Sequence, residues 1–294
     1  SHPRWLVTRL IDILGAEEAE EYLRCNNAIV PTTIQTNTTK ITPDALAETL
    51  AAQGVTVETH PWLDGCFTLR GTGDLEQLKA FRDGLFLVQD TASRLVVLAQ
   101  PEAGQHILDA CGAPGGKSFS TAIAIGDDGS ILSCDIHPSK VKQIQKGAKR
   151  LGLASIQSQI RNAKEYDPSL DEQFDLVLAD APCSGLGIIR KKPDIRNKDP
   201  EPLKDLPRIQ GDILENVSRY VKSGGVLVYS TCTVLERENQ DVVRGFLAKH
   251  PEFTLEPFTL PDAIGTVEEG MLTLWPHIHG TDGFFLSKMR KQGT

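Results

Sequence analysis

The stretch His106-Ile-Leu-Asp-Ala-Cys-Gly-Ala-Pro-Gly-Gly-Lys-Ser118 joins a short apolar strand to a glycine-rich loop and a helix. Glycines let a backbone approach a ligand closely, and a helix N-terminus presents free N–H groups. The spacing matches neither the Gly-x-Gly-x-x-Gly of nicotinamide enzymes nor the Gly-x-x-x-x-Gly-Lys-Ser of phosphate loops. On its own, the loop is also consistent with a plain strand-to-helix turn.

The next predicted strand, residues 130–134, is followed by Asp135. An acid at the tip of this strand can accept hydrogen bonds from both ribose hydroxyls of an adenosine, and an ordinary helix cap before Pro138 is the alternative. The loop and the acid, one strand apart, favour a nucleoside cofactor. The missing phosphate-loop spacing favours S-adenosylmethionine, which carries a sulfonium and an amino acid instead of phosphates.

Apolar runs and helical patterns alternate from residue 89 onwards. The predicted strands and helices of this part are residues 106–110, 130–134, 139–151, 156–160, 174–179, 203–221 and 226–230, followed by a hairpin of residues 271–275 and 283–288. Buried strands that alternate with helices predict a parallel, doubly wound α/β sheet.

The first 88 residues have a different pattern. Residues 4–25 are predicted to be helical, and residues 33–37, 43–53, 55–59, 66–69, 74–80 and 85–88 predict a small mixed unit of strands and short helices. At 294 residues the chain is long for one core. We therefore expect two domains, residues 1–88 (helical, then a small, RNA-recognition-like α/β unit) and residues 89–294.

Composition excludes several classes of protein. No apolar run reaches the length of about 18 residues that a membrane span needs, and six scattered cysteines without a Cys-x-x-Cys pair indicate a reduced, cytoplasmic protein. The seven histidines form no ligand cluster, so we expect no metal. The net charge of −8 is not typical of a nucleic-acid binder, although binding depends on local patches.

Two cysteines follow predicted strands. Cys183 comes after Asp180-Ala-Pro, and Cys232 lies in Ser230-Thr-Cys-Thr. Neighbouring strands lie about 4.8 Å apart, so both thiols are expected at the carboxyl edge of the sheet, beside the cofactor crevice. Packing explains most free cysteines, but two at this edge favour chemistry.

Several motifs together resemble the ribosomal RNA cytosine-5 methyltransferases of the NOL/NOP/Sun family. They are Val88-Gln-Asp90, Ala113-Pro-Gly-Gly-Lys117, Asp180-Ala-Pro-Cys-Ser-Gly185, Arg190-Lys-Lys-Pro-Asp-Ile195, Ser230-Thr-Cys-Thr233 and Gly280-Thr-Asp-Gly-Phe-Phe285. The resemblance covers nearly the whole chain and implies a Rossmann-like, S-adenosylmethionine-dependent methyltransferase fold with a small N-terminal α/β domain. It is strongest to the bacterial 16S ribosomal RNA enzymes, whose all-helical, NusB-like RNA-binding domain we expect to be missing here.

The resemblance also implies roles for individual residues. The cofactor would be held by Cys111, Gly112, Ala113, Pro114, Gly115, Gly116, Lys117, Asp135, Asn162 and Asp180. Asn162 stands where the family usually has an acid, Gly112 replaces a common Ala, and Thr233 replaces a common Ser. Asp180 would lie between cofactor and cytosine and, if protonated, would stabilise ring N3.

Cys232 would be the nucleophile, and Cys183 would help to release the product. Thiolate addition to carbon 6 makes carbon 5 of cytosine nucleophilic enough to accept a methyl group. The position of the two thiols does not by itself choose between them. The opposite assignment, in which Cys183 attacks, follows the Pro-Cys pattern of DNA cytosine methyltransferases.

We therefore predict methylation of carbon 5 of a cytosine in RNA, 16S ribosomal RNA first of all, by a monomer that binds no membrane. A transfer RNA substrate or a non-catalytic RNA-binding assembly factor are the alternatives, and a nicotinamide oxidoreductase lacks its glycine fingerprint. Arg190, Lys191 and Lys192 are the candidates for RNA phosphate contacts. The basic face made by Lys142, Lys146, Lys149 and Arg150 is expected to be solvated.

Overall fold

The computed structural model describes residues 2–99 and 101–293. The α-helices of this part are α1 (Arg4–Leu14), α2 (Ala16–Cys25), α3 (Pro43–Ala52), α4 (Lys79–Arg82), α5 (Thr91–Leu95), α6 (Gly116–Ala124), α7 (Pro138–Leu151), α8 (Leu206–Val217), α9 (Gln240–Leu247) and α10 (Pro276–His279). The strands are β1 (Thr32–Thr36), β2 (Thr56–Thr59), β3 (Cys66–Arg70), β4 (Phe86–Val88), β5 (His106–Asp109), β6 (Ser130–Asp135), β7 (Ile156–Ile160), β8 (Phe174–Asp180), β9 (Val221–Thr231), β10 (Phe253–Leu255), β11 (Phe258–Thr259), β12 (Thr266–Val267), β13 (Met271–Leu274) and β14 (Phe284–Lys291). Short 3-10 turns lie at Leu75–Gln77, Val96–Ala99, Pro168–Leu170, Leu186–Ile188, Pro193–Asn197, Pro202–Asp205, Ser218–Tyr220 and Glu236–Glu238.

The large sheet has the strand order β10-β14-β9-β8-β5-β6-β7, and β13 pairs with β14 on the same side as β10. Strands β5 to β9 are parallel, which confirms the predicted doubly wound sheet. The predicted C-terminal hairpin is β13 with β14, and β14 runs antiparallel to β9. The carboxyl ends of β5, β6, β8 and β9 therefore meet at one edge.

Burial on both faces explains the near-continuous apolar runs of the central strands. Ile107, Leu176 and Val226 belong to the core on one face, whereas Leu108 and Val177 belong to the core on the other. Alternate side chains of a strand point to opposite faces, so a strand covered on both sides needs apolar residues at every position.

A second, four-stranded antiparallel sheet has the order β2-β3-β1-β4. Helix α3 covers one face of it, with Leu46 and Leu50 packed among Ile34, Phe67 and Phe86. Thr42 caps the N-terminus of this helix: its hydroxyl accepts a hydrogen bond from the N–H of Ala45.

Polar contacts dock this small sheet on α6 and α7. Arg150 donates hydrogen bonds to the carbonyl oxygens of Phe81 (2.7 Å) and Phe86 (3.1 Å), and its guanidinium lies 3.8 Å from the centre of the Phe81 ring. The Asn37 side chain donates to the Leu151 carbonyl at 2.9 Å. The expectation of a fully solvated basic face is therefore wrong for Arg150, because its partners belong to a segment about 65 residues earlier in the chain.

The helical prediction for residues 4–25 also needs correction, since two helices meet at Gly15, whose φ of 79° interrupts the helical backbone. These helices pack against the 186–195 segment, and the Tyr22 hydroxyl donates to the Leu186 carbonyl at 2.8 Å. The helix predicted at residues 203–221 is α8 flanked by 3-10 turns. Helices α1 and α2 thus lie beside the segment that follows Cys183.

Candidate active site

The loop from Cys111 to Lys117 connects β5 to α6, and glycine is required at two of its positions. The Gly112 N–H donates to the Cys134 carbonyl at 2.7 Å, and a Cβ at Gly112 would lie 2.3 Å from the Ser133 hydroxyl oxygen. Gly115 has a φ of 113°, and a Cβ there would lie 2.2 Å from the Phe119 ring. The loop therefore presents backbone at the end of β5, where side chains would occupy the space.

A cavity of about 400 Å³ opens beside this loop, at the carboxyl edge of the sheet. It is lined by Ala110, Cys111, Ala113, Asp135, Ile136, His137, Lys140, Arg161, Asn162, Ala163, Lys164, Asp180, Ala181, Pro182, Cys183, Ile209, Ile213 and Cys232. The volume lies within the range of small-molecule sites. The structure thus brings Asp135, Asn162, Asp180 and both thiols around one cavity.

Asp135 and Asn162 stand on two neighbouring strand ends of this cavity. The Asp135 carboxylate accepts a hydrogen bond from the His137 N–H at 2.9 Å and lies 3.7 Å from the Lys140 ammonium. The first contact closes a local turn before α7, whose N-cap is His137, so Asp135 is not the helix cap that was the alternative from the sequence. Asp135 lines the cavity. The Asn162 side chain donates to Glu165 at 2.9 Å.

An adjoining recess of about 200 Å³ is lined by the loop, Asp109 and Lys117. Burial raises the pKa of Asp109 to about 6. One oxygen of its carboxylate accepts from the Ser118 hydroxyl at 2.6 Å, and the other has no hydrogen-bond partner within residues 2–99 and 101–293. A buried unpaired carboxylate oxygen fits a ligand that brings N–H donors, as the amino-acid end of S-adenosylmethionine does.

Asp180 ends β8 with both carboxylate oxygens engaged. One accepts from the Lys117 ammonium at 2.6 Å, and the other accepts from the Ser230 hydroxyl at 2.8 Å. Burial lowers the pKa of Lys117, but the neighbouring Asp180 carboxylate raises it more, so the Lys117 pKa lies above its ordinary value. The arrangement holds Asp180 as a hydrogen-bond acceptor at the cavity wall.

The two thiols lie on neighbouring strand ends, as the sequence predicts. Strands β8 and β9 pair with Asp180 opposite Ser230, and the sulfur atoms of Cys183 and Cys232 are 3.2 Å apart. The hydrogen bond from the Cys183 thiol, together with the charges of Lys117 and Lys192, lowers the pKa of Cys232. The same hydrogen bond, together with burial, raises the pKa of Cys183 well above its ordinary value.

Sequence reasoning missed several residues that shape the site. Ile136, Lys140 and Arg161 line the cavity, and Glu238 is buried behind the loop of Cys183. Ile136 and Lys140 follow Asp135 closely, so their proximity to it is a usable signal. No comparable signal marks Glu238, whose contact depends on the packing of the 3-10 turn after β9.

Two of the three basic residues at positions 190–192 already form ion pairs within the protein. Arg190 binds Asp282 at 2.6 Å, and Lys191 binds Asp282 at 2.8 Å and also Asp90. Lys192 is exposed and has no ion pair in the described part of the chain. Of the three candidate phosphate contacts, Lys192 alone presents an unpaired ammonium group.

Three further findings concern metal binding, membrane spans and disulfide bonds. Within the described ranges, no three His, Cys, Asp or Glu side chains converge as metal ligands, and no helix there is long and apolar enough to cross a membrane. All six cysteines are free of disulfide bonds.

Comparison with known proteins links these features to an enzyme family. A family model described as 16S rRNA methyltransferase RsmB/F matches residues 96–290, and a ferredoxin-like domain of RsmF/B-like methyltransferases matches residues 2–76. The chain is 40% identical over 302 residues to a probable ribosomal RNA small subunit methyltransferase B of Bacillus subtilis, covering 100% of this chain and 67% of the relative. It thus spans about two thirds of that relative's length.

Two solved structures have the same fold. The crystal structure of PH0851 superposes with a TM-score of 0.92 at 32% identity, covering 99% of this chain and 66% of that one. NSun6 from Pyrococcus horikoshii, solved with SFG, has a TM-score of 0.86 at 21% identity and covers 99% of both chains. These findings confirm the family resemblance, the methyltransferase fold with its small N-terminal α/β domain, and S-adenosylmethionine as the cofactor.

Proposed function

Because this chain belongs to the RsmB/F family of 16S rRNA methyltransferases, we propose that it methylates carbon 5 of a cytosine in 16S ribosomal RNA. The observation that carries the proposal is the pair of thiols 3.2 Å apart at the cavity wall. Methyl transfer to an oxygen or an exocyclic nitrogen needs no thiol, because those atoms carry lone pairs. Carbon 5 does need one, because it becomes nucleophilic only after an addition at carbon 6.

We assign the attack to Cys232. Its lowered pKa favours the thiolate, which is the attacking species. The thiolate sulfur bonds to carbon 6, the carbon 5–carbon 6 electron pair shifts to the carbon 4–carbon 5 bond, and ring N3 takes up a proton from water, which leaves carbon 5 enamine-like. Asp180 then accepts a hydrogen bond from that N–H or from the amino group at carbon 4. This role suits a carboxylate better than the protonated form expected from the sequence, because Lys117 and Ser230 already donate to it.

S-adenosylmethionine, when bound, supplies the electrophilic methyl group. The residues that we propose to hold it are the 111–117 loop, Asp109, Asp135 and Asn162, which surround the cavity and its recess. Asp135 would bind the ribose hydroxyls, and Asp109 the amino group. The side chain of Asn162, which donates to Glu165, would present an uncharged amide to the adenine, where the family usually has an acid.

We assign product release to Cys183. After methylation, water takes the carbon-5 proton, the carbon 5–carbon 6 double bond re-forms as the bond between Cys232 and carbon 6 breaks, and ring N3 returns its proton to water. The departing sulfur then needs a hydrogen-bond donor, and the raised pKa of Cys183 keeps its thiol protonated 3.2 Å away. The cytosine must be unstacked to reach this cavity, which favours loops or opened helices of the RNA.

The test combines a labelled methyl donor with RNA. Purified protein, S-adenosylmethionine labelled in its methyl group and small-subunit ribosomal RNA should yield label on carbon 5 of cytosine in the digested nucleosides. Transfer RNA is the comparison substrate. Label on transfer RNA alone would overturn the choice of substrate, and label on any other atom would overturn the reaction.

A further inference from the structure

Two buried polar residues follow the nucleophile's strand and take no part in the steps above. Glu238 and Asn239 lie in the segment after Cys232, and neither side chain is exposed to solvent. Burial of polar groups costs free energy unless hydrogen bonds replace water. The positions of their partners therefore indicate what the two side chains do.

Asn239 holds the chain on both sides of Cys232. Its amide nitrogen donates to the carbonyl oxygen of Thr233 at 3.0 Å, and its amide oxygen accepts from the Thr231 hydroxyl at 2.6 Å. Thr231 and Thr233 are the two residues adjacent to the nucleophile. One side chain therefore fixes the backbone that carries the Cys232 sulfur.

Glu238 and Gln210 do the same for Cys183. The Glu238 carboxylate accepts from the Ser184 N–H at 2.8 Å and from the Gln210 side chain at 3.1 Å. Gln210 also donates to the Pro182 carbonyl at 3.0 Å. Pro182 and Ser184 are the two residues adjacent to Cys183, so both of its neighbours are held through Glu238.

We propose that Glu238 and Asn239 are positioning residues for the methyl transfer: they hold the two cysteine loops so that the Cys183 thiol faces the Cys232 sulfur. A hydrogen bond of 2.7 Å from the Ser184 hydroxyl to the Thr233 hydroxyl joins the same two loops. The inference rests on the proposed function, because the thiols are the groups that it positions.

The charge of Glu238 has a second effect. It adds to the hydrogen bond, burial and Asp180 in raising the pKa of Cys183, and Tyr229 is the further titratable group beside that thiol. Cys183 thereby remains a donor towards Cys232, whose own surroundings include Lys117 and Lys192.

Glu238→Gln removes the negative charge at this position and keeps a side chain of nearly the same size and shape. The amide oxygen can still accept from Ser184, and the amide nitrogen occupies the position of the carboxylate oxygen that has no partner in the described residues. Glu236→Gln is the matched control, because Glu236 is exposed in the same 3-10 turn and binds Arg244.

The first measurement is alkylation by iodoacetamide across pH, without RNA, read peptide by peptide in a mass spectrometer. In Glu238→Gln we expect the Cys183 alkylation midpoint to fall by about one pH unit, since a nearby negative charge is lost. The alkaline limb of the pH profile of methylation should also move to lower pH. Glu236→Gln should change neither the Cys183 alkylation midpoint nor this limb. An unchanged Cys183 midpoint in folded Glu238→Gln overturns the effect of the Glu238 charge on Cys183. Glu238→Ala also removes the acceptor for Ser184 and Gln210, so its kcat should be lower than that of Glu238→Gln, and equal kcat values in the two folded variants overturn the positioning role of Glu238.

The second measurement concerns Asn239→Ala. We expect kcat to fall about 10-fold to 100-fold while the KM for S-adenosylmethionine is unchanged, because only the nucleophile's backbone is released. An unchanged kcat overturns the role of Asn239. Alkylation needs neither RNA nor methyl transfer, so the test of Glu238 stands even where RNA methylation by the unaltered protein fails.

Discussion

Cys183 and Cys232 carry the same side chain and lie 3.2 Å apart, but their surroundings differ. The hydrogen bond between the two thiols lowers the pKa of Cys232 and raises the pKa of Cys183; the charges of Lys117 and Lys192 lower the Cys232 pKa further, and burial and the Glu238 carboxylate raise the Cys183 pKa further. A shift of one pKa unit corresponds to about 1.4 kcal/mol. We infer that the hydrogen bond between the thiols and the charges around them, more than proximity to the cavity, distinguish the proposed nucleophile from the proposed donor.

The sharpest test of this comparison removes each thiol in turn. Cys232→Ala should abolish methylation and never retain RNA, because no atom is left to bond carbon 6. Cys183→Ala should accumulate RNA bound covalently to Cys232, visible as a slow band on a denaturing gel. Cys25→Ser, a free cysteine on α2, should behave like the unaltered protein.

The opposite pattern would reassign the nucleophile. A band in Cys232→Ala that is absent from Cys183→Ala means that Cys183 attacks, as in DNA cytosine methyltransferases. The proposed reaction would stand, and the interpretation of the two pKa shifts would not.

A second test removes the charge beside Cys232. Lys117→Met should raise the pKa of Cys232, because a positive neighbour that stabilises the thiolate is lost. The alkylation midpoint of Cys232 should move to higher pH, and methylation at neutral pH should fall about 10-fold or more.

Lys222→Met is the matched control for that test. Lys222, on β9, binds Asp175 at 2.7 Å. Asp175 and Asp180 lie at opposite ends of β8, so this Lys–Asp pair is remote from the cavity. If both variants lower activity equally and leave Cys232 alkylation unchanged, loss of stability explains the effect and Lys117 has no special influence on the thiol.

A third test concerns the cofactor side of the cavity. Asp135→Ala should weaken S-adenosylmethionine binding by about 1–3 kcal/mol, or about 5-fold to 150-fold, through the loss of ribose hydrogen bonds. Calorimetry without RNA measures this effect. Asp135→Asn keeps an acceptor for the His137 N–H and should lose less, and equal affinity in all three proteins would remove Asp135 from the site.

The smallest effect is expected at the basic run. Replacing Lys192 by Glu should weaken RNA binding a few-fold and leave cofactor affinity unchanged. The slope of the logarithm of the RNA-binding constant against the logarithm of the salt concentration should decrease in magnitude by about one. Lys191→Glu places a carboxylate beside Asp90 and Asp282, so it should lower the melting temperature instead. Lys142→Glu, on the exposed face of α7, is the control for RNA binding. Equal RNA affinity and salt dependence for Lys192→Glu and the unaltered protein would show that this lysine is only solvated.

The sequence was sufficient to predict the parallel sheet and the proximity of the two thiols at its carboxyl edge. Apolar runs that alternate with helices define a parallel sheet, and parallel strands bring their carboxyl ends to one edge. The positions of Cys183, Cys232 and Asp135 follow from that rule together with the order of the strands.

The sequence was not sufficient for contacts between distant segments. The run at residues 190–192 indicates phosphate binding when it stands alone, but Asp90 and Asp282 come from segments about 100 and 90 positions away and neutralise two of its members. Arg150 likewise looks like one charge among four on α7 until Phe81 and Phe86 are brought beside it. Such pairings depend on how elements pack, which no local pattern encodes.

The antiparallel pairing of β14 with β9 has a consequence for the time course of synthesis. Thr231, next to Cys232, pairs with Phe285, which the ribosome adds 54 residues later. At about 5–20 residues per second, one side of β9 has no partner for about 3–10 seconds. An unpaired strand edge can pair with other chains, so the nascent protein has an exposed edge on β9 until β14 has been synthesised.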